Sequence, residues 1–129
     1  MTPQTRTRIG WVLTGLLGLM LLGSAAYKLS GSAEALAKAA AFGLLPTTYR
    51  TLGLLEAASV LLFLWPRTAV PGTLLLAAYL GGAIATHLQH QPEGILLPIG
   101  LEAAVWLAAG LRLPELTERL RARRPTGAA

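Results

Sequence analysis

The sequence contains no cysteine. That excludes disulfides, thiol redox chemistry, iron–sulfur clusters and thiolate-bound metals from within the chain. Charge is scarce as well. Only 13% of the 129 residues are charged, against about 25% in an ordinary soluble domain. So little polar surface cannot cover a water-soluble globule, and the membrane class leads. Acidic residues number six against eleven lysines and arginines, for a net charge of +5. Aromatic residues make up 6%. The basic residues flank apolar runs; they do not form a face interleaved with base-stacking aromatics. That argues against nucleic acid and for anionic lipid headgroups. The sequence also has no Gly-rich phosphate loop after a strand and no nucleophile elbow.

What is present is apolar. Hydrophobic residues account for 53% of the chain, and its mean hydropathy is +0.55. A membrane helix needs about 20 mostly apolar residues. Four stretches qualify as spans: 9–29, 49–65, 72–88 and 95–111. The last three are short, which tilt or local bilayer thinning accommodates. "PRTAVP" and "QHQPE" are tight proline-marked turns, so the later spans are antiparallel neighbours. "SAEALAKAAAF" is Ala-rich and reads as a short interfacial helix between the first two spans. In it Leu36, Ala39 and Ala40 share a face, and Glu34 and Lys38 form an i,i+4 pair. The tail from 112 to 129 is basic, with Leu116 and Leu120 on one side of an amphipathic turn. The expectation is all-α: one integral membrane four-helix bundle over 1–129, with an interfacial helix and a basic C-terminal tail.

Lysine and arginine counts orient the bundle. One end carries Arg6, Arg8, Arg67, Arg112, Arg119, Arg121, Arg123 and Arg124; the other carries Lys28, Lys38 and Arg50. Eight against three puts both termini in the cytoplasm of a bacterial-type inner membrane. Arg6 and Arg8 before an apolar run and "GSAA" also resemble a cleaved secretory signal. The length of the run from Ile9, and Lys28 just past the cleavage position, favour a retained span. Gly15, Gly18, Gly23, Ser24, Ala25, Gly81 and Gly82 read as small residues for close helix packing.

The polar residues within the spans fall in one layer. Glu56 lies six residues past Arg50, roughly 9 Å down from the outer surface at the helical rise. Glu102 lies seven residues past Ile95, roughly 10 Å down. Lys28 closes the first span and His87 ends the third. A charged side chain near mid-bilayer costs about 2.5–3.5 kcal/mol on insertion scales, so these groups are expected to face inward and to meet one another. Tyr49, Gly53, Glu56, Val60 and Phe63 share a face of span two. Tyr79, Ala83, Thr86 and His87 share one of span three, and Pro98, Glu102, Trp106 and Ala109 one of span four. The candidate polar pocket is Lys28, Arg50, Glu56, His87 and Glu102, with Tyr49, Tyr79 and Thr86 around it. The plainer reading is structural: Lys28–Glu56 and Arg50–Glu102, or the crossed pairing, fix helix register. His87 and His90, with Glu93 in the following turn, make too weak a ligand set for a metal, and no other helix has a histidine to hold a haem.

Several motifs carry a resemblance. "YKL" ends the first span, and "YRTLGLLEAASVLLFLWPRTAVPGTLLLAAYLGGAIATHL" crosses the second and third. Over residues 9–111 the chain resembles DoxX-like membrane proteins. The matching positions are Lys28, Glu56 in its "LGLLE" context, Pro66–Thr68, and Thr86–Leu88. The resemblance implies a small four-helix membrane protein, in some relatives a subunit of a thiosulfate:quinone oxidoreductase or of another redox complex. More distant relatives act as assembly chaperones or cargo receptors. Thiol-based relatives are no guide for a chain without cysteine.

Three readings follow. In the first, the chain is a subunit of a membrane redox system whose outer pocket takes a quinone or small anion; any redox role needs a quinone, a partner's cofactor, or both. In the second, it is a non-catalytic assembly or scaffold protein in which the same charges are structural. In the third, it is a small transporter, which the lack of polar residues in the inner half disfavours. The expected partners are the lipid bilayer, a redox or assembly protein, and a second copy of the chain.

Overall fold

The computed structural model describes residues 1–121. Six α-helices follow in order: α1 Pro3–Ser30, α2 Ala33–Ala41, α3 Pro46–Leu64, α4 Ala69–His90, α5 Leu96–Arg112 and α6 Pro114–Leu120. There is no strand among the described residues. The chain is therefore all-α. Arg123 and Arg124, read above as part of the basic tail, lie outside the described residues.

Helix boundaries follow from local chemistry. The Thr2 hydroxyl accepts the Thr5 N–H at 3.2 Å and caps α1, with Pro3 in the first turn where its missing N–H costs nothing. Gly31 ends α1 at φ +65°, a left-handed conformation suited to glycine. Pro66 stops α3. Two residues later the Thr68 hydroxyl donates to Leu62 O at 2.8 Å, satisfying a carbonyl that the ended helix leaves without a partner. The "PRT" turn is thus a C-cap.

Four long helices pack side by side. α1 lies against α3 and α5, and α4 lies against α3 and α5. Gly10 of α1 sits at Arg112 of α5, while Lys28 at the far end of α1 reaches the middle of α3. Gly72 near the start of α4 meets the backbone of Leu62 and Phe63 at the end of α3. Neighbouring helices therefore run antiparallel. The core between them holds Leu17, Leu21, Val60, Phe63, Leu76, Leu80, Val105 and Ala108.

Large apolar side chains cover much of the outer surface. Leu16 is 60% exposed, Leu19 75%, Leu54 60% and Leu96 78%, while Thr14, Glu56, Thr73 and Arg112 are buried. Polar groups inside and leucines outside are the reverse of a water-soluble distribution. Three segments are long and apolar enough to cross a membrane: Pro3–Ser30, Pro66–His90 and Pro92–Arg112. α3, at 19 residues, is long enough, but its first turns "PTTYRT" are polar and Glu56 interrupts the remainder.

α2 sits beside the first turn of α3. Ser32 caps it by accepting the Ala35 N–H at 3.1 Å. Its buried face is Ala35 and Ala39, packed on Tyr49, while Leu36 and Ala40 of the face shared by Leu36, Ala39 and Ala40 are exposed. The two alanines, one turn apart, allow the helix to approach the ring closely, which Leu36 would prevent. Lys38 lies 5.7 Å from the centre of the Tyr27 ring, and it forms no ion pair with Glu34 among the described residues.

Candidate functional site

The α1–α3 contact is built on a missing side chain. A Cβ placed on Gly53 would stand 2.9 Å from Lys28 Cβ and 3.2 Å from Ala25 O. Glycine there lets the two helices touch. One turn further along α3, Glu56 then comes within reach of α1, in the "LGLLE" spacing.

Glu56 is 1% exposed, and a single one of its oxygens, Oε2, collects three donors. Lys28 Nζ lies 2.8 Å from it. The Tyr79 hydroxyl of α4 donates at 3.1 Å, and the Ser24 hydroxyl of α1 at 3.3 Å. Lys28 also donates to Ser24 Oγ at 2.6 Å, so the two α1 residues, one turn apart, form a chain into the carboxylate. The rings of Tyr49 and Tyr79 flank the ammonium, their centres 5.8 and 5.9 Å from Nζ, within cation–π range. The result is a cluster across α1, α3 and α4. It contains the only ion pair among the described residues.

The other pocket candidates lie elsewhere. Arg50 is exposed and stands over Gly31, the left-handed residue after α1. His87 Nδ1 donates to Ala83 O at 2.8 Å, and its ring lies tilted against Phe42 at 4.8 Å between centres. Thr86 donates to Gly82 O at 2.9 Å. Glu102 Oε1 accepts the Trp106 indole N–H at 2.8 Å within its own helix, while its Oε2 is buried without a hydrogen-bond partner among the described residues. No Arg50–Glu102 or Arg50–Glu56 pair forms among the described residues. Nor do these residues contain a group of three histidines or carboxylates able to hold a metal.

Two participants were not legible as such in the sequence. Ser24 reads there as a small packing residue, yet it bridges Lys28 to Glu56. Its signal is the i,i+4 spacing from Lys28, which puts both on one face of α1. Arg112 reads as a boundary charge, yet it is 6% exposed. Its guanidinium donates to Phe63 O, a carbonyl at the end of α3. The rings of Trp11 and Phe63 lie 4.6 Å from its Cζ. Gly10 marks the place, since it removes the Cβ that would meet Arg112. Nearby, Arg6 ties α1 to the end of α5 by donating to Gly110 O at 2.7 Å, and to α6 by donating to Thr117 Oγ1 at 3.0 Å.

Open clefts lie at this arginine-bearing end. One is lined by Pro3, Gln4, Thr7 and Arg8, another by residues of α1, α5 and α6 that include Arg6 and Trp106. Neither includes Lys28, Glu56 or Tyr79.

Comparison with known proteins gives a family match. A family model described as the DoxX-like family matches residues 12–111. Neither curated proteins nor solved structures give a match. The matched stretch contains every member of the Lys28–Glu56 cluster and the capped "PRT" turn. The match and the three apolar helices together point to a membrane location, and the chain belongs to the DoxX-like family.

Proposed function

We propose that the chain is a multi-pass protein of a bacterial-type inner membrane and serves a membrane partner, such as a redox complex, as a non-catalytic supporting subunit. In this reading α1, α3, α4 and α5 all cross the bilayer, α2 lies at the outer interface, and both termini face the cytoplasm. The leucines exposed on α3 support the fourth crossing, and the eight-to-three arginine and lysine asymmetry supports the orientation. One observation carries the functional part. Lys28, Tyr79 and Ser24 all converge on Glu56 Oε2, so the buried ionisable groups of the cluster satisfy one another and hold three helices together. Copurification in mild detergent tests it. The expectation is a protein partner without bound quinone, with Glu56→Gln lowering thermal stability and partner recovery together. A stoichiometric quinone that is lost in Glu56→Gln at unchanged thermal stability would overturn it.

A quinone-linked role is the second reading. It is favoured by the buried Glu102 Oε2, which has no hydrogen-bond partner among the described residues and is a carboxylate oxygen available as a proton relay to a quinone in the outer half. Loss of quinone reduction in Glu102→Gln, with folding intact, would support this reading over the first.

A further inference from the structure

The groove between α1, α5 and α6 is distinct from the Lys28–Glu56 cluster, and it combines an apolar wall with a basic mouth. It is an open cleft with a volume of about 460 Å³. Trp106, Leu107, Leu111 and Leu120 line it, with Arg6 and Arg121 at its edge. Leu107 is 57% exposed and Leu120 69%, so the wall is open to its surroundings. Arg6 is half-buried, and its bonds to Gly110 O and Thr117 Oγ1 both run through Nη2. Those bonds hold the guanidinium at the groove edge. Its other N–H groups make no hydrogen bond among the described residues. Arg121 makes no side-chain bond among them either, and it adds a second positive charge one residue past the end of α6.

We propose that this groove binds an anionic phospholipid from the inner leaflet, its phosphate between Arg6 and Arg121 and an acyl chain along Trp106, Leu107 and Leu111. The proposal rests on the reading that α1 and α5 cross the membrane with this end in the cytoplasm. Two features argue for a lipid. The arginines stand where the apolar helices end, at headgroup level, and the wall below them runs along α5 toward the bilayer interior. From Leu107 to Leu111 the helix advances roughly 6 Å. A basic pocket between helices on the cytoplasmic side is the chemistry that selects acidic headgroups over zwitterionic ones.

The test uses the full chain reconstituted in vesicles of phosphatidylcholine alone, or of phosphatidylcholine with an equal amount of phosphatidylglycerol. Retained lipid is then counted by native mass spectrometry. The wild type is expected to retain phosphatidylglycerol preferentially. Arg121→Gln, which breaks no described hydrogen bond, is expected to weaken that retention about fivefold. Arg6→Gln combined with Arg121→Gln weakens it further, and Leu107→Asn weakens it by removing part of the acyl wall. Arg8→Gln is the charge-matched control, because Arg8 lines the other cleft. If Arg8→Gln lowers retention as much as Arg121→Gln, the effect is diffuse charge and the proposal fails. It also fails if inorganic phosphate alone displaces the lipid, since the apolar wall would then contribute nothing. Insertion into both vesicle types without headgroup preference sinks the lipid site and leaves the membrane reading standing. Failure to insert into either sinks both.

Discussion

Replacing Lys28 with methionine strips the main donor from a carboxylate that is 1% exposed. The remaining donors, Ser24 at 3.3 Å and Tyr79 at 3.1 Å, are neutral. Removing one partner of a buried pair leaves an uncompensated charge and costs about 3–5 kcal/mol. The opposite substitution, Glu56→Gln, is milder. Lys28 is 14% exposed, its stem can carry the ammonium toward the end of the bundle, and the glutamine oxygen still accepts from Tyr79 and Ser24. The loss there is that of one charge-assisted hydrogen bond, about 1.5–3 kcal/mol. The double variant Lys28→Met/Glu56→Gln buries no charge at all, so it should be more stable than Lys28→Met alone. Reversible unfolding in mixed detergent micelles, followed by tryptophan fluorescence, measures all four corners of the cycle. Single effects that add to the double within about 0.5 kcal/mol would mean that the two residues act independently. That outcome would refute the view of the cluster as a lock between α1 and α3.

Three further outcomes test the packing. Gly72→Ala should destabilise strongly, because its Cβ would overlap the backbone of Leu62 and Phe63, whereas Gly81→Ala, with open space around it, should be neutral or slightly stabilising in the same unfolding assay. Thr68→Val removes the cap on Leu62 O and should cost about 0.5–1.5 kcal/mol, read as a lower unfolding midpoint. Arg112→Lys keeps the charge but loses the planar contact with Trp11 and Phe63, and should cost about 1 kcal/mol, with a change in tryptophan emission if the Trp11 ring is released.

The helices were legible because length and hydropathy define them, and proline and glycine mark their ends. The buried face of α3 was legible too: Tyr49, Gly53, Glu56, Val60 and Phe63 follow the helical period and are all buried. The rise per residue also puts Lys28 and Glu56 near one depth. Rotation about the helix axis was not legible. Glu102 lies near the depth of Glu56, yet on α5 the buried positions are Pro98, Val105, Ala108, Ala109 and Arg112, and the carboxylate turns toward its own Trp106. Arg50 neighbours the buried Tyr49 in sequence, and the step of about 100° between helical neighbours turns it outward over Gly31. Ser24 and Arg112 were not legible because a small residue and a boundary arginine acquire their roles only from neighbours on other helices.

The polarity of α3 has a consequence for biogenesis. The residue that lowers its hydropathy within the apolar stretch, Glu56, is the one that α1 neutralises through Lys28. α1 precedes α3 in the chain and is long and apolar enough to cross a membrane. In the proposed topology α3 then enters a bilayer in which its counter-charge already waits, which would make its insertion a cooperative event between two segments of the nascent chain. In a glycosylation-mapping assay α3 alone should insert poorly, α1 placed upstream should rescue it, and α1 carrying Lys28→Met should not. The ion pair is, on this view, an instruction about the order in which the protein is made.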